Sequence, residues 1–156
     1  MNKTWIILTG IVALLLFTAP AAFSFYPWGD KPAHLTPRNG VLEIPIKDIS
    51  DGKAHHYTVT AGDGIKVNFF TLKSRDGVIR AAIDACDVCY RSGKGYRQEG
   101  DFMICNNCGQ RFASNKINVI KGGCNPAPLN RVIKGDNLVI AMQDINANSW
   151  YEKFRR

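Results

Sequence analysis

Gly62-Asp63-Gly64-Ile65-Lys66-Val67-Asn68-Phe69-Phe70-Thr71-Leu72, followed after a short polar break by Asp76-Gly77-Val78-Ile79-Arg80-Ala81-Ala82-Ile83, is the stretch that decides the fold. Ile65 to Leu72 alternates apolar and polar residues before an apolar end, the two-residue period of a strand with one buried face. Asp76-Gly77 is a hairpin signal, and Val78 to Ile83 runs back from it as a second strand. Upstream, Val41 to Ile46 alternates in part, with Pro45 marking an edge because proline gives the sheet no N–H. Ala54 to Thr60 reads as a strand ended by the Gly62-Asp63-Gly64 turn. Downstream, Phe102-Met103-Ile104 is a short strand running into Cys105. Arg131–Ile133 and Leu138–Met142 form a pair joined by Lys134-Gly135-Asp136-Asn137, and Asp144 to Phe154 reads as a terminal helix. The expected fold class is mainly β. It is a small antiparallel β sandwich or barrel carrying a Cys-knuckle metal-binding insertion, preceded by one N-terminal hydrophobic helix.

All five cysteines fall between residues 86 and 124, as Cys86-x2-Cys89, Cys105-x2-Cys108 and Cys124. Two intervening residues let both sulfurs face one point from a tight turn, where backbone N–H groups can donate to the thiolates. Cys105-Asn106-Asn107-Cys108-Gly109 has this knuckle form, with asparagines that tolerate turn conformations and a glycine free to take positive φ. Two such pairs suit a four-sulfur site for zinc or a single iron, and four thiolates also hold iron–sulfur clusters. Cys124 sits in Gly122-Gly123-Cys124-Asn125-Pro126, whose glycines allow close backbone approach. A structural zinc site has no use for a fifth thiol, whereas a polynuclear or redox-switching site does. Structural zinc, redox iron or iron–sulfur, a soft metal such as Cu(I), and disulfide chemistry all remain open on spacing. Metal ligation uses any number of thiols, while five cannot all pair within one chain. Neither pair has the βαβ context of a thioredoxin-like site.

Neighbouring side chains carry weaker signals. Met103 shares strand parity with Cys105 and is a possible thioether ligand, or else core. Asp87, like Asp84, offers a carboxylate beside the first knuckle, or simple turn chemistry. His55 and His56 point to opposite faces of their strand, so at most one reaches a given site; otherwise they are exposed hairpin residues. Tyr90, Tyr96, Phe102 and Phe112 bracket the knuckles as a possible shield against water or as local core. No Ser/His/Asp arrangement, phosphate-cradling loop or paired carboxylate is present. An electron carrier or metal-binding protein is therefore expected rather than a catalyst.

The N-terminus bears on compartment. Lys3 precedes an apolar stretch, and Trp5 through Tyr26 is 22 residues without a charge, about enough to cross a bilayer. Residues 1–24 are read as a membrane anchor, with a signal cleaved after Ala21 or Ser24 as the alternative. Residues 25–40, with Pro27, Pro32 and Pro37, read as a linker, and 41–156 as the metal-binding β domain. Without residues 1–24 the chain keeps 19 basic against 13 acidic residues, a net +6. These charges are scattered and form no run, so a solvated basic surface is expected and no nucleic-acid partner.

Asp84-Ala85-Cys86-Asp87-Val88-Cys89-Tyr90, Gly95-Tyr96, Met103, Cys105-x2-Cys108-Gly109, Phe112 and Gly122-Gly123-Cys124-Asn125-Pro126-x-Pro128 together resemble the FtrD-like membrane iron–sulfur proteins of bacteria. The resemblance covers roughly residues 41–145. It implies an extracytoplasmic domain at the inner membrane, facing the periplasm, tied to metal uptake and usually to ferrous iron import. The implied role is an electron carrier binding iron–sulfur, iron or another metal such as zinc or copper, with Cys86, Cys89, Cys105, Cys108 and Cys124 matching the family's cysteines. Larger members have several membrane helices before this domain. A single hydrophobic segment cannot relay electrons across a bilayer, so a membrane redox or metal-transport partner is expected.

Overall fold

The computed structural model describes residues 31–155, so the N-terminal helix expected over 1–24 lies outside the described residues. Among the described residues, ten strands form three sheets. Strands β1 (Ala33–His34), β2 (Val41–Pro45), β3 (His55–Thr60), β4 (Lys66–Lys73) and β5 (Ile79–Ile83) come first. Strands β6 (Tyr96–Glu99), β7 (Phe102–Cys105), β8 (Arg111–Ala113), β9 (Val132–Lys134) and β10 (Asn137–Ala141) follow. Their orders are β1-β3-β4-β5, β2-β10-β9 and β6-β7-β8. Every pairing is antiparallel except β1 with β3.

Strand β4 is the centre of the molecule. On β4, Val67 and Phe69 face a core shared with Leu42, Ile44, Leu138 and Ile140 of the β2-β10-β9 sheet. Phe70 and Leu72 face a second core with Cys86, Tyr96, Met103 and Cys105. Alternation along β4 therefore separates two cores instead of a core from water. That is why its six residues Val67–Leu72 are all buried. A fully buried Val, Leu or Phe contributes about 1.5–3 kcal/mol, so β4 carries a large share of the stabilisation. The middle sheet is covered on both faces, and among the described residues no sheet closes on itself. The barrel is thus excluded, because three short sheets bury their apolar faces by stacking.

The Asp76-Gly77 hairpin forms as the sequence indicates. Gly77 has φ +80° and its N–H reaches Ser74 O at 2.8 Å. Pro45 ends β2, an outer strand of its sheet. Within the stretch read as a linker, Ala33 and His34 pair with Tyr57 and Thr58. The terminal helix is shorter than expected. Helix α1 (Met142–Ala147) stops at Asn148, and a 3-10 turn spans Ser149–Glu152. Asn148 Nδ2 donates back to Asp144 O at 2.8 Å, and its N–H takes the tighter bond to Ile145 O. This local competition ends α-helical bonding. Ser149 then donates to Asp63 Oδ2 at 2.7 Å and fixes the new direction.

Candidate metal centre

The segment between β5 and β9 folds as its own small sheet, β6-β7-β8, against the second core. Cys86 follows β5, Cys105 ends β7, and Cys108 lies in the turn before β8. The first knuckle closes with Cys89 N–H on Cys86 Sγ at 3.2 Å and Tyr90 N–H on Cys86 O at 3.1 Å. In the second, Gly109 N–H bonds Cys105 O at 2.8 Å with Gly109 at φ +74°, the left-handed conformation expected from sequence. The N–H groups of Asn107 and Cys108 point at the Cys105 sulfur, and that of Gln110 at the Cys108 sulfur. The Asn107 side-chain amide reaches across to Cys89 Sγ at 3.4 Å.

All five thiols are free. Cys86, Cys89 and Cys124 form one group with sulfurs within 4.8 Å of one another, and Cys89, Cys105 and Cys108 form another. Cys89 belongs to both. Sulfurs on one tetrahedral ion at about 2.3 Å stand roughly 3.8 Å apart, so small side-chain rotations bring either group onto a metal. Five soft donors, with backbone N–H groups aimed at the Cys86, Cys105 and Cys108 sulfurs and a side-chain amide at Cys89, are a chemistry that fits thiolate-bound metal.

Burial sorts the thiols. Cys86 and Cys105 are buried, Cys89 and Cys124 are half-buried, and Cys108 is exposed. Burial pushes the Cys105 thiol up to about 11, against the lowering pull of its N–H donors. The Cys108 thiol is lowered, first by the Gln110 N–H. At Cys89 the Asn107 amide and Cys105 lower the thiol, but desolvation, Cys108 and Cys86 leave it raised. Cys124 is raised by desolvation and then by Cys108. Exposure and thiolate character together govern alkylation. In metal-free protein, Cys108 is therefore expected to react with iodoacetamide first and Cys105 last, read by peptide mass mapping; equal rates would contradict this order.

A buried polar network backs the first knuckle. Asp84 accepts from Tyr96 N–H at 2.8 Å and from Arg155 Nη2 at 2.9 Å. Arg155 also lies 2.8 Å from Glu152, which accepts from Asn68 Nδ2 at 2.9 Å. Tyr96 donates from its hydroxyl to Cys124 O at 2.6 Å. Asp84 thus fixes the backbone of a residue whose other end holds the fifth cysteine's loop. Desolvation raises Asp84, opposed by His56 and Arg155. Desolvation likewise carries Glu152 from its ordinary 4.5 up to about 7, against the Arg155 charge. Between these values the folded protein holds a proton that the unfolded chain has released, so stability falls as pH rises through that window. Glu152→Gln is expected to match the parent near pH 5 and to exceed its stability by about 2–3 kcal/mol at pH 8. Urea unfolding at the two pH values checks this, and a pH-independent difference would contradict it.

The weaker sequence candidates have other partners. His55 Nε2 lies 2.8 Å from Asp51 on the surface. His56 stands 4.0 Å from Asp84 and against the Phe70 ring, and belongs to neither sulfur group. Asp87 is exposed and accepts from the Tyr151 hydroxyl. Met103 is fully buried in the core that holds Cys86 and Cys105. Tyr96 packs between Phe70 and Phe112, walling the thiols from that side. Phe102 instead lies under Arg111, with the guanidinium 4.7 Å from the ring centroid. Asn68, Tyr151, Glu152 and Arg155 were not singled out in the sequence, because the bonds that bring them to the knuckle, Asn68–Glu152, Tyr151–Asp87 and Arg155–Asp84, span 64 to 84 residues.

A three-sheet β scaffold presenting five clustered free thiols defines a cysteine-rich protein equipped to hold metal. The chain belongs to the FtrD-like family, described as membrane iron-sulfur containing protein FtrD-like, whose model matches residues 49–151. The match takes in every cysteine. A search of curated proteins finds no match. Among the described residues, no helix is long and apolar enough to cross a membrane.

Proposed function

We propose that this protein is a membrane-tethered, extracytoplasmic electron carrier serving ferrous iron uptake, with iron or an iron–sulfur cluster on Cys86, Cys89, Cys105, Cys108 and Cys124. The observation that carries this reading is the sharing of Cys89 between two three-sulfur groups. One tetrahedral ion uses four thiolates and leaves the fifth without work; a polynuclear or ligand-exchanging centre uses all five. The family description, membrane iron-sulfur containing protein, supports the same choice. Thiolate-held iron supplies reversible electron transfer when bound.

The chain's own residues then set the conditions. N–H donors at Cys86, Cys105 and Cys108 offset negative charge on the sulfurs, which favours the more reduced state. Tyr96, Phe70 and Phe112 exclude water on the buried side. Cys108, exposed in its turn, brings one edge of the centre to the surface, where an electron-exchange partner has access. A membrane redox or metal-transport partner completes the path.

Potentiometric titration of the anaerobically purified protein, followed by visible absorption, tests electron transfer. A reversible transition is expected, with its potential moved in Cys124→Ser. Absorption that does not respond to reductant contradicts the reading. The same three-sulfur groups favour one alternative, a copper or zinc module without redox work, because three soft thiolates suit Cu(I). It predicts a colourless protein that exchanges metal.

A further inference from the structure

The two asparagines of the second knuckle face different ways. Asn106 turns from the sulfurs: its Nδ2 donates to Lys94 O at 3.0 Å, and its Oδ1 accepts from Arg97 Nη1 at 3.0 Å. Its backbone N–H donates to Gly95 O at 2.9 Å, so Asn106 fastens the knuckle to the start of β6. Asn107 faces the sulfurs twice. Its backbone N–H points at the Cys105 sulfur, and its side-chain Nδ2 crosses to Cys89 Sγ at 3.4 Å. One residue of the second knuckle thereby holds a sulfur of each knuckle.

Cys86, Cys105 and Cys108 each have a backbone N–H aimed at the sulfur. Among the described residues, none is aimed at the Cys89 sulfur, and the Asn107 amide is the N–H donor it meets. Cys89 is also the sulfur common to both three-sulfur groups. A thiolate on a metal has lone pairs and no proton, so the NH2 end of the amide is the end that suits it. A donor at that sulfur offsets the negative charge that reduction adds and favours the more reduced state. The amide is exposed and has water as a competing partner, so its effect belongs at the lower end of the 10–100-fold range for outer hydrogen bonds to metal ligands.

We propose that Asn107 is a positioning residue for the metal centre: its side-chain amide ties the shared Cys89 thiolate to the second knuckle and raises the reduction potential of the bound metal. The effect on potential rests on the proposed electron-transfer function. The contact with Cys89 holds for any metal the thiols take.

Potentiometric titration of the anaerobically purified full chain tests it in Asn107→Ala, Asn107→Asp and Asn106→Asp. Aspartate has the shape of asparagine and the same tolerance of turns, so it keeps the knuckle while replacing the donor with a charged acceptor. A merely structural role predicts that Asn107→Asp stays near the parent and that Asn107→Ala departs from it. The proposed role predicts a potential that falls in Asn107→Ala and falls further in Asn107→Asp. The expected fall in Asn107→Ala is about tenfold in the reduction equilibrium, or about 59 mV for one electron. Asn106→Asp places the same charge one residue away, against Arg97, and should move the potential much less. A potential for Asn107→Asp at or above the parent's overturns the proposal, as do equal falls in Asn107→Asp and Asn106→Asp.

Cobalt(II) in place of the native metal gives a second readout that needs no redox change. A thiolate relieved of its donor gives up an electron more easily. The sulfur-to-cobalt charge-transfer absorption is therefore expected at longer wavelength in Asn107→Ala, at longer wavelength still in Asn107→Asp, and unmoved in Asn106→Asp. Unmoved bands in both Asn107 variants overturn the inference. A parent protein that takes cobalt but shows no reversible transition contradicts the electron-transfer reading alone, and the bands then decide the role of Asn107. A chain that binds neither iron nor cobalt contradicts both.

Discussion

Cys89→Ser is expected to lower metal affinity further than serine at Cys108 or Cys124. Cys89 is the one thiol common to the two sulfur groups, so its loss breaks both. Removing Cys108 leaves Cys86, Cys89 and Cys124 together, and removing Cys124 leaves Cys89, Cys105 and Cys108. Losing an outer hydrogen-bond partner of a metal ligand costs roughly 10–100-fold in affinity, and losing a shared ligand is expected to exceed that. Metal retained per chain after anaerobic dialysis against a chelator reads the difference. Cys108→Ser and Cys124→Ser should each keep a substantial fraction while Cys89→Ser keeps almost none. Equal losses in all three would show that Cys89 has no special position. Half-burial at the domain surface makes Cys89→Ser a mild change for the fold itself, since the hydroxyl replaces a sulfur that already meets the Asn107 amide.

Gly95→Ala is expected to destabilise the domain by about 3–5 kcal/mol, a sum of left-handed strain and broken buried hydrogen bonds. Gly95 has φ +65°, and a Cβ there would stand 2.2 Å from Asp84 Oδ2 and 2.7 Å from Arg155 Nη2. Asp84 has little room to yield. Its carboxylate is held by Tyr96 N–H and Arg155, and its own N–H bonds Asn68 O at 2.9 Å. Displacing it frees Tyr96, and with Tyr96 the hydroxyl that holds Cys124 O. Gly100→Ala supplies the control, because Gly100 has φ +56° but nothing within 4 Å of its Cβ position. That variant should lose only about 1–2 kcal/mol, the conformational part. Chemical denaturation of both variants checks the comparison, and equal losses would remove Asp84 from the account of what supports the site.

Much of the scaffold was legible because it rests on local signals. Period-two alternation in Ile65–Leu72 and the Asp76-Gly77 turn located β4 and β5 to within a residue or so. What alternation did not reveal was a second core. Asn68 and Thr71 look like solvent-facing positions in sequence, yet both are buried, Asn68 against Glu152 and Thr71 on the face of β4 that it shares with Val67 and Phe69. Strands β6 and β8 were missed because Tyr96–Glu99 and Arg111–Ala113 are short and mostly polar on their exposed face. Their partner β7, with Met103 and Ile104, carried enough apolar character to be seen. The terminal helix was placed correctly but made too long, since nothing short-range distinguishes Asn148 bonding back to Asp144 from an ordinary helical asparagine.

At the candidate centre, spacing alone picked out the five cysteines and the two knuckles. It did not indicate that Cys89 would stand between the groups, which depends on how the β5 end, the β7 end and the Gly122-Gly123 loop meet. Nor did it indicate the support from Asp84, Glu152 and Arg155. Those contacts join segments that only the folded sheets bring together. The chemistry was thus readable from side-chain type, while the ranking of the five thiols came from tertiary placement.

The most direct measurement is iron and acid-labile sulfide per chain in protein purified anaerobically at full length, with visible absorption before and after dithionite. The proposed electron carrier predicts bound iron and a chromophore that bleaches on reduction and returns on reoxidation. One zinc per chain, no colour and no response to reductant would contradict it.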